Sequence, residues 1–209
     1  MIEMNLPSKD KNGNPYLSYS QINTFIKDRD QFIKSYILKE PFKGNEYTDF
    51  GSKVGRALEL GNYDSFKKSE IDTLSKVTRL DLFEHPIKIN YDSFYLVGYI
   101  DSCSLDLTKI IDYKTGGVGK EFQYSSEDYI QMCYYALGIK QETGISVKDA
   151  SVEFIRRKGS ISSGLYVASE DPIKIKLDVS ENRLKTVYWW TIKIAKEIEN
   201  FYTNYNQNI

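Results

Sequence analysis

The sequence predicts an α/β protein with an α+β-like order, built on one central mixed β-sheet flanked by helices. Three observations lead there. Apolar spacing is helical in the N-terminal third, it changes to strand-like alternation from Pro86, and one helical segment interrupts the strands before a long helix ends the chain. Helices, a meander, one helix, further strands and a final helix describe a mixed sheet, not a doubly wound one. With 209 residues and neither an internal repeat nor a low-complexity linker, the chain is expected to form one domain over 1–209.

The elements follow in order. Residues 1–16 are polar and turn-rich and read as an irregular arm. "SYSQINTFIKDRDQFIKSYILK" places Ile22, Phe25, Ile26, Phe32, Ile33, Tyr36 and Ile37 at helical spacing, with Ser18 or Ser20 as N-cap. "DFGSKVGRALELG" reads as a second helix closed by Gly61, and "SEIDTLSKVTRLDLF" as a third. "PIKINY", "FYLVGYIDSCSL" and "KIIDYKT" read as successive strands. "SSEDYIQMCYYALGIKQETG" is a helix begun by Ser125 or Ser126, favoured by Glu127 and Asp128 at its positive end and closed by Gly144. "ASVEFIRRK", "SGLYVAS" and "PIKIKLDV" return to strands, and "SENRLKTVYWWTIKIAKEIENFY" is a terminal helix with a wide apolar face.

Composition excludes several classes. Apolar residues are 41% and charged residues 27% of the chain, as in ordinary globular proteins. A net charge of −1 offers no general attraction to nucleic acid, so such a role needs local basic patches or bound cations. No run approaches the roughly 18 apolar residues of a membrane span, and the N-terminus lacks the layout of a secretory signal. Cys103 and Cys133 are too few for a four-cysteine metal or cluster site and read as buried thiols. A Cys–His nucleophilic pair would have to use His85, which leads into Pro86.

The stretch "GYIDSCSLDLTKIIDYKTG", residues 98 to 116, carries the chemistry. If it folds as a hairpin with its tip at Asp106–Leu107, a symmetric register sets Asp101 across from Asp112. Side-chain alternation then adds Lys114 to the same face, while Ile100, Ile111 and Tyr113 turn into packing. A one-residue slip would separate the two carboxylates. Two facing carboxylates repel unless a cation lies between them, and hard divalent ions prefer oxygen ligands. A lysine beside such an ion can act on a water or on developing negative charge. An exposed, salt-bridged hairpin is the other reading of the same residues.

Three motifs together resemble the PD-(D/E)XK nuclease superfamily, in the RecB-like branch that includes recombination exonucleases and CRISPR-adaptation nucleases. They are Gly98 with Asp101, then Asp112, Tyr113 and Lys114 at a strand end, then Gln131 with Tyr135 in a helix. The opening helix is similar too, with Asp-Arg-Asp where many members have Cys-Pro. The resemblance implies a restriction-endonuclease-like core and a Mg²⁺- or Mn²⁺-dependent phosphodiesterase acting on DNA, an exonuclease of recombination, repair or phage DNA processing. Asp101, Asp112 and the Tyr113 carbonyl would be metal ligands and Lys114 the catalytic lysine. Gln131 and Tyr135, one helical turn apart, would hold substrate near the ion. "GSKVGRALE" matches a helix that carries a histidine and a glutamate in this branch: Glu59 fits as a further ligand, but Gly55 stands in the histidine position. Arg56, Arg156 and Arg157 are candidate phosphate contacts, with Lys158 beside them.

Iron–sulfur members of the branch anchor their terminal segments with four cysteines, which this chain lacks. No cluster is expected, and packing through Trp189, Trp190 and the terminal helix is expected to do that work. The implied partners are DNA and a single-strand-annealing or other recombination protein, and the implied location is the cytoplasm of a bacterium or of a phage's bacterial host. Two other readings stay open: a DNA-binding or protein-interaction module that kept the fold and lost turnover, and an endonuclease of restriction or repair type.

Overall fold

The computed structural model describes residues 3–41 and 43–207. A short strand β1 (Tyr16–Ser18) leads into α1 (Tyr19–Lys27) and α2 (Arg29–Phe32), which continues as a π-helical turn over Ile33–Ile37. Next come α3 (Glu46–Leu60), α4 (Lys68–Leu74), β2 (Leu82–Asn90), β3 (Tyr95–Cys103) and β4 (Lys109–Gly116). A 3₁₀ turn over Lys120–Tyr124 precedes α5 (Gln131–Thr143). The chain closes with β5 (Asp149–Ser160), β6 (Gly164–Val167), β7 (Ile173–Lys176) and α6 (Glu181–Gln207).

The sheet is mixed, as the element order predicted. β1 runs parallel to β3 and β4 parallel to β5, whereas β2–β3, β3–β4, β5–β6 and β5–β7 are antiparallel. It lies between two apolar cores, and adjacent residues of β4 serve both: Ile110 joins the core under α1, α5 and α6, and Ile111 the core under α3 and α4. α5 is buried nearly all round, and it sits so close to β2 that a Cβ on Gly138 would stand 2.7 Å from the Ile87 Cβ. Cys103 and Cys133 are buried free thiols. Among the described residues, no helix is long and apolar enough to cross a membrane.

Several local expectations change. Residues 3–15 are irregular but not a loose arm, because Met4 and Leu6 are buried in the larger core. The first helix starts at a Ser18–Gln21 capping box and breaks at Asp28, whose carboxylate caps α2 by accepting from the Gln31 N–H at 2.9 Å. The third helix ends at Leu74, and Leu82–Phe83 open a strand instead. Buried side chains claim the backbone between them: Glu153 accepts from the Thr78 N–H at 2.8 Å, and the Tyr113 hydroxyl donates to the Thr78 carbonyl at 2.6 Å. α5 begins at Gln131 rather than at Ser125 or Ser126, because Ser126 accepts from the Asp128 N–H in a local turn. Gly61 and Gly144 close α3 and α5 in the left-handed region, as expected. Trp190 packs on the larger core, but Trp189 is 68% exposed and anchors nothing there beyond an edge contact with Tyr188.

Candidate functional site

The β3–β4 hairpin has the register that brings the two aspartates together. Ser102 pairs with Ile111 and Cys103 with Ile110, and the Ser104 N–H donates to the Lys109 carbonyl at 3.0 Å. The Asp106 carboxylate locks the tip by accepting from the Ser104 hydroxyl, the Thr108 N–H and the Thr108 hydroxyl. Continued by one pair, this register sets Asp101 opposite Asp112. The regular ladder stops there because the Asp101 carboxylate itself takes the Tyr113 N–H, at 2.7 Å. On the edge of β3 away from β2, β1 pairs with residues 95–97 and β4 with 102–103, so residues 98–101 between them face a gap in the sheet.

Asp112 is wholly buried. One of its oxygens accepts from Lys114 Nζ at 2.6 Å and from the Tyr129 hydroxyl at 2.9 Å, and the other oxygen has no hydrogen-bond partner. Burial, then the Asp112 charge, push the Asp101 carboxyl up to about 7, against the opposing pull of Lys114 and the Tyr113 N–H. Lys114 is held well above its ordinary value by Asp112 and Asp101, which outweigh its own burial. The cluster therefore holds one ammonium against two crowded carboxylates. Ile100 joins one core and Ile111 with Tyr113 the other, so the residues expected to pack do so on different sides.

An open cleft of about 660 Å³ lies beside this cluster, lined among others by Gly55 and Glu59 of α3, Glu84 of β2, Asp101, Tyr113 and Lys114. Glu59 thus reaches the same cleft as Asp101, and Gly55 leaves open space where a histidine would stand. Glu84 was missed from the sequence: a lone glutamate in a strand carries no signal until its pairing is known. Arg157 stacks its guanidinium 4.0 Å over the ring of Tyr47, which also lines the cleft. The structure does not bring the other arginines in. Arg56 is exposed on α3 outside the cleft lining, and Arg156 is engaged by Glu121 and Glu170. Lys158 also pairs with Glu170, at 2.7 Å.

A second hollow of about 240 Å³ adjoins the cluster on its other side, lined by Tyr19, Lys27, Lys114, Tyr129 and Gln131 among others. Lys114 is common to both. Gln131 lies at the hollow, whereas Tyr135 is only 4% exposed and sits behind it. The Gln131 amide donates to the Tyr135 hydroxyl at 2.5 Å, and its carbonyl lies 3.0 Å from the Tyr129 hydroxyl, which shares its one proton between this oxygen and Asp112. A chain of contacts therefore runs from Tyr135 through Gln131 and Tyr129 to Asp112. Tyr129, read from the sequence as part of the first helical turn, was the link that went unseen.

The donor set suits a hard divalent cation: carboxylate oxygens, one of them buried and unpartnered, with no thiolate or imidazole among the cleft residues named above. Among the described residues, no three carboxylate, imidazole or thiolate groups converge tightly enough to hold an ion as the side chains stand. Asp112 is turned to Lys114 and Tyr129, and Asp101 to the Tyr113 N–H.

No protein-family model matches the sequence, and no curated protein matches it. The structure is similar to a crystal structure from Eubacterium rectale, of a protein described as a candidate exonuclease. The TM-score is 0.61 at 11% sequence identity, covering 90% of this chain and 82% of that one. The likeness is one of fold, and this chain's own α/β architecture is a seven-stranded mixed sheet flanked by helices.

Proposed function

We propose that this chain is a Mg²⁺- or Mn²⁺-dependent nuclease that hydrolyses DNA phosphodiester bonds, an exonuclease acting in recombination, repair or phage DNA processing. The observation that carries the reading is the Asp101–Asp112–Lys114 cluster at the gap in the sheet: two crowded carboxylates, one with a buried free oxygen, and a lysine between two open hollows. The fold shared with the Eubacterium rectale protein described as a candidate exonuclease adds support.

Asp101 and Asp112 would hold the ion, with Glu59 and the Tyr113 carbonyl as further donors. A bound divalent ion supplies an acidified water and neutralises charge on the phosphate. Lys114, kept protonated by its two carboxylates, stabilises negative charge growing on the phosphorus centre, or orients the attacking water. Gln131 faces the hollow through which a strand would pass, and Tyr135 and Tyr129 fix its amide. Lys27 and Arg157 at the two rims are suited to phosphates.

The test is digestion of linear and of closed circular DNA with Mn²⁺, by the wild type and by Asp112→Asn. Linear DNA degraded from its ends by the wild type alone is the expected result. Nicking of the circle would make it an endonuclease. DNA binding without any metal-dependent cleavage would make it a binding module and end the proposal.

A further inference from the structure

We infer that Glu84 is a metal ligand of this chain, standing in for the side chain that Gly55 lacks, and that the completed site is all-oxygen and selects Mg²⁺ or Mn²⁺ over Zn²⁺. The inference rests on the metal-dependent reading above and adds to it a residue and an ion preference.

Four observations lead to Glu84. The β2–β3 register pairs Phe83 with Ser102 and His85 with Ile100, which sets Glu84 directly opposite Asp101. The hairpin register sets Asp112 opposite Asp101 on the other side. Counted along both registers, three acidic residues therefore stand in one row across three strands, at points where the ladder itself lapses, and like charges brought close raise one another's cost unless something joins them. Second, Glu84 has a left-handed backbone (φ 47°), an unfavourable conformation for a residue with a side chain. The sheet changes sides at this point: Ile87 packs on the larger core and Phe83, an even number of residues away, on the other. At this kink Glu84 is exposed and lines the cleft that Asp101 and Glu59 also line. Third, neither Glu84 nor Glu59 is engaged by the lysines and arginines that make ion pairs elsewhere in the fold. Fourth, Lys114, which lines the same cleft, pairs with one oxygen of the wholly buried Asp112 and leaves the other without a hydrogen-bond partner. An acceptor left bare inside a protein calls for a proton donor or a cation.

Gly55 explains the need. It lies one helical turn before Glu59 on the cleft wall, and a Cβ added there meets nothing within 4 Å. An imidazole at that place would make a mixed nitrogen–oxygen site, which suits Zn²⁺ and other transition ions. A carboxylate from β2 in its stead makes an oxygen-only site, which suits harder ions.

Calorimetric titration of the apo protein with Mn²⁺ and with Zn²⁺ tests this without any turnover, using wild type, Glu84→Gln, Gly55→His and the double variant. Circular dichroism checks that each is folded. The wild type should bind Mn²⁺. Glu84→Gln should bind it at least about tenfold more weakly, the scale of loss that even outer-shell changes produce. That loss should survive about 0.5 M KCl, where a mere field effect is screened. Gly55→His added to Glu84→Gln should restore binding with the preference moved toward Zn²⁺. If the wild type binds Mn²⁺ and Glu84→Gln binds it equally, or differs only at low salt, the ligand role of Glu84 is wrong while the metal site stands. If the wild type binds no Mn²⁺, the metal-dependent reading fails, and the inference with it.

Discussion

Replacing Lys114 with methionine, which keeps length and removes charge, tests the electrostatics of the cluster. Lys114 Nζ lies 2.6 Å from a wholly buried Asp112, while the lysine side chain is 26% exposed. A unit-charge pair at about 4 Å is worth about 4 kcal/mol at an effective dielectric of 20, and stranding one member of a buried pair costs about 3–5 kcal/mol. Two effects reduce this. The lysine is partly solvated, and Asp101, already raised to about 7, can take up a proton once the ammonium is gone. We therefore expect a net loss of about 2 kcal/mol at pH 7.5. For a chain of this size that lowers the melting temperature by about 4–8 °C.

Mn²⁺ should then favour the variant. At 1 mM ion and a dissociation constant of about 0.1 mM, binding to the native state adds about 1.4 kcal/mol. The increment should be larger in Lys114→Met, where no ammonium competes for Asp112, than in the wild type, and absent in Asp112→Asn. Differential scanning calorimetry of the three proteins with and without Mn²⁺, beside a linear-DNA digestion, reads all of this. Lys114→Met should bind the ion and fail to cleave. If it melts within about 1 °C of the wild type and its Mn²⁺ shift is no larger, Lys114 does not hold the carboxylates in tension and the electrostatic account of the cluster is wrong.

Three further predictions follow from single contacts. Gln131→Ala removes the amide that joins Tyr129 to Tyr135, and turnover should fall about tenfold, the rate equivalent of one hydrogen bond, with folding little changed; wild-type turnover would remove Gln131 from the substrate path. The raised carboxyl of Asp101 makes apo stability depend on pH: the native state binds that proton more tightly, so its contribution falls as pH rises from 3.8, the ordinary value, to about 7. Urea midpoints should therefore decline more steeply across that window in the wild type than in Asp101→Asn, and parallel curves would contradict the shift. Gly138→Ala puts a methyl 2.7 Å from the Ile87 Cβ and should cost about 1–3 kcal/mol in urea unfolding, with no loss meaning that β2 and α5 part easily.

What the sequence decided by itself was local. The tip at Asp106–Leu107 could be placed because strand alternation has a period of two and Asp106 carries the turn, so the Asp101–Asp112–Lys114 cluster was legible in the order of residues alone. Gly61 and Gly144 announced their helix ends because a left-handed cap is a property of one residue. The order of helices and strands was enough for the mixed sheet.

Tertiary structure decided whatever depends on a partner distant in sequence. Glu84 joins the site only because β2 pairs with β3 in one register. Tyr129 leaves the helix and reaches Asp112 across the fold, and residues 75–81 leave theirs because Glu153 and Tyr113 claim the Thr78 backbone. Arg156, read from the sequence as a phosphate contact, finds Glu121 and Glu170 instead. Periodicity and capping report how each stretch satisfies its own backbone. Which carboxylates crowd together, and which cations they are given, is settled only when separate strands and helices exclude water from the same place.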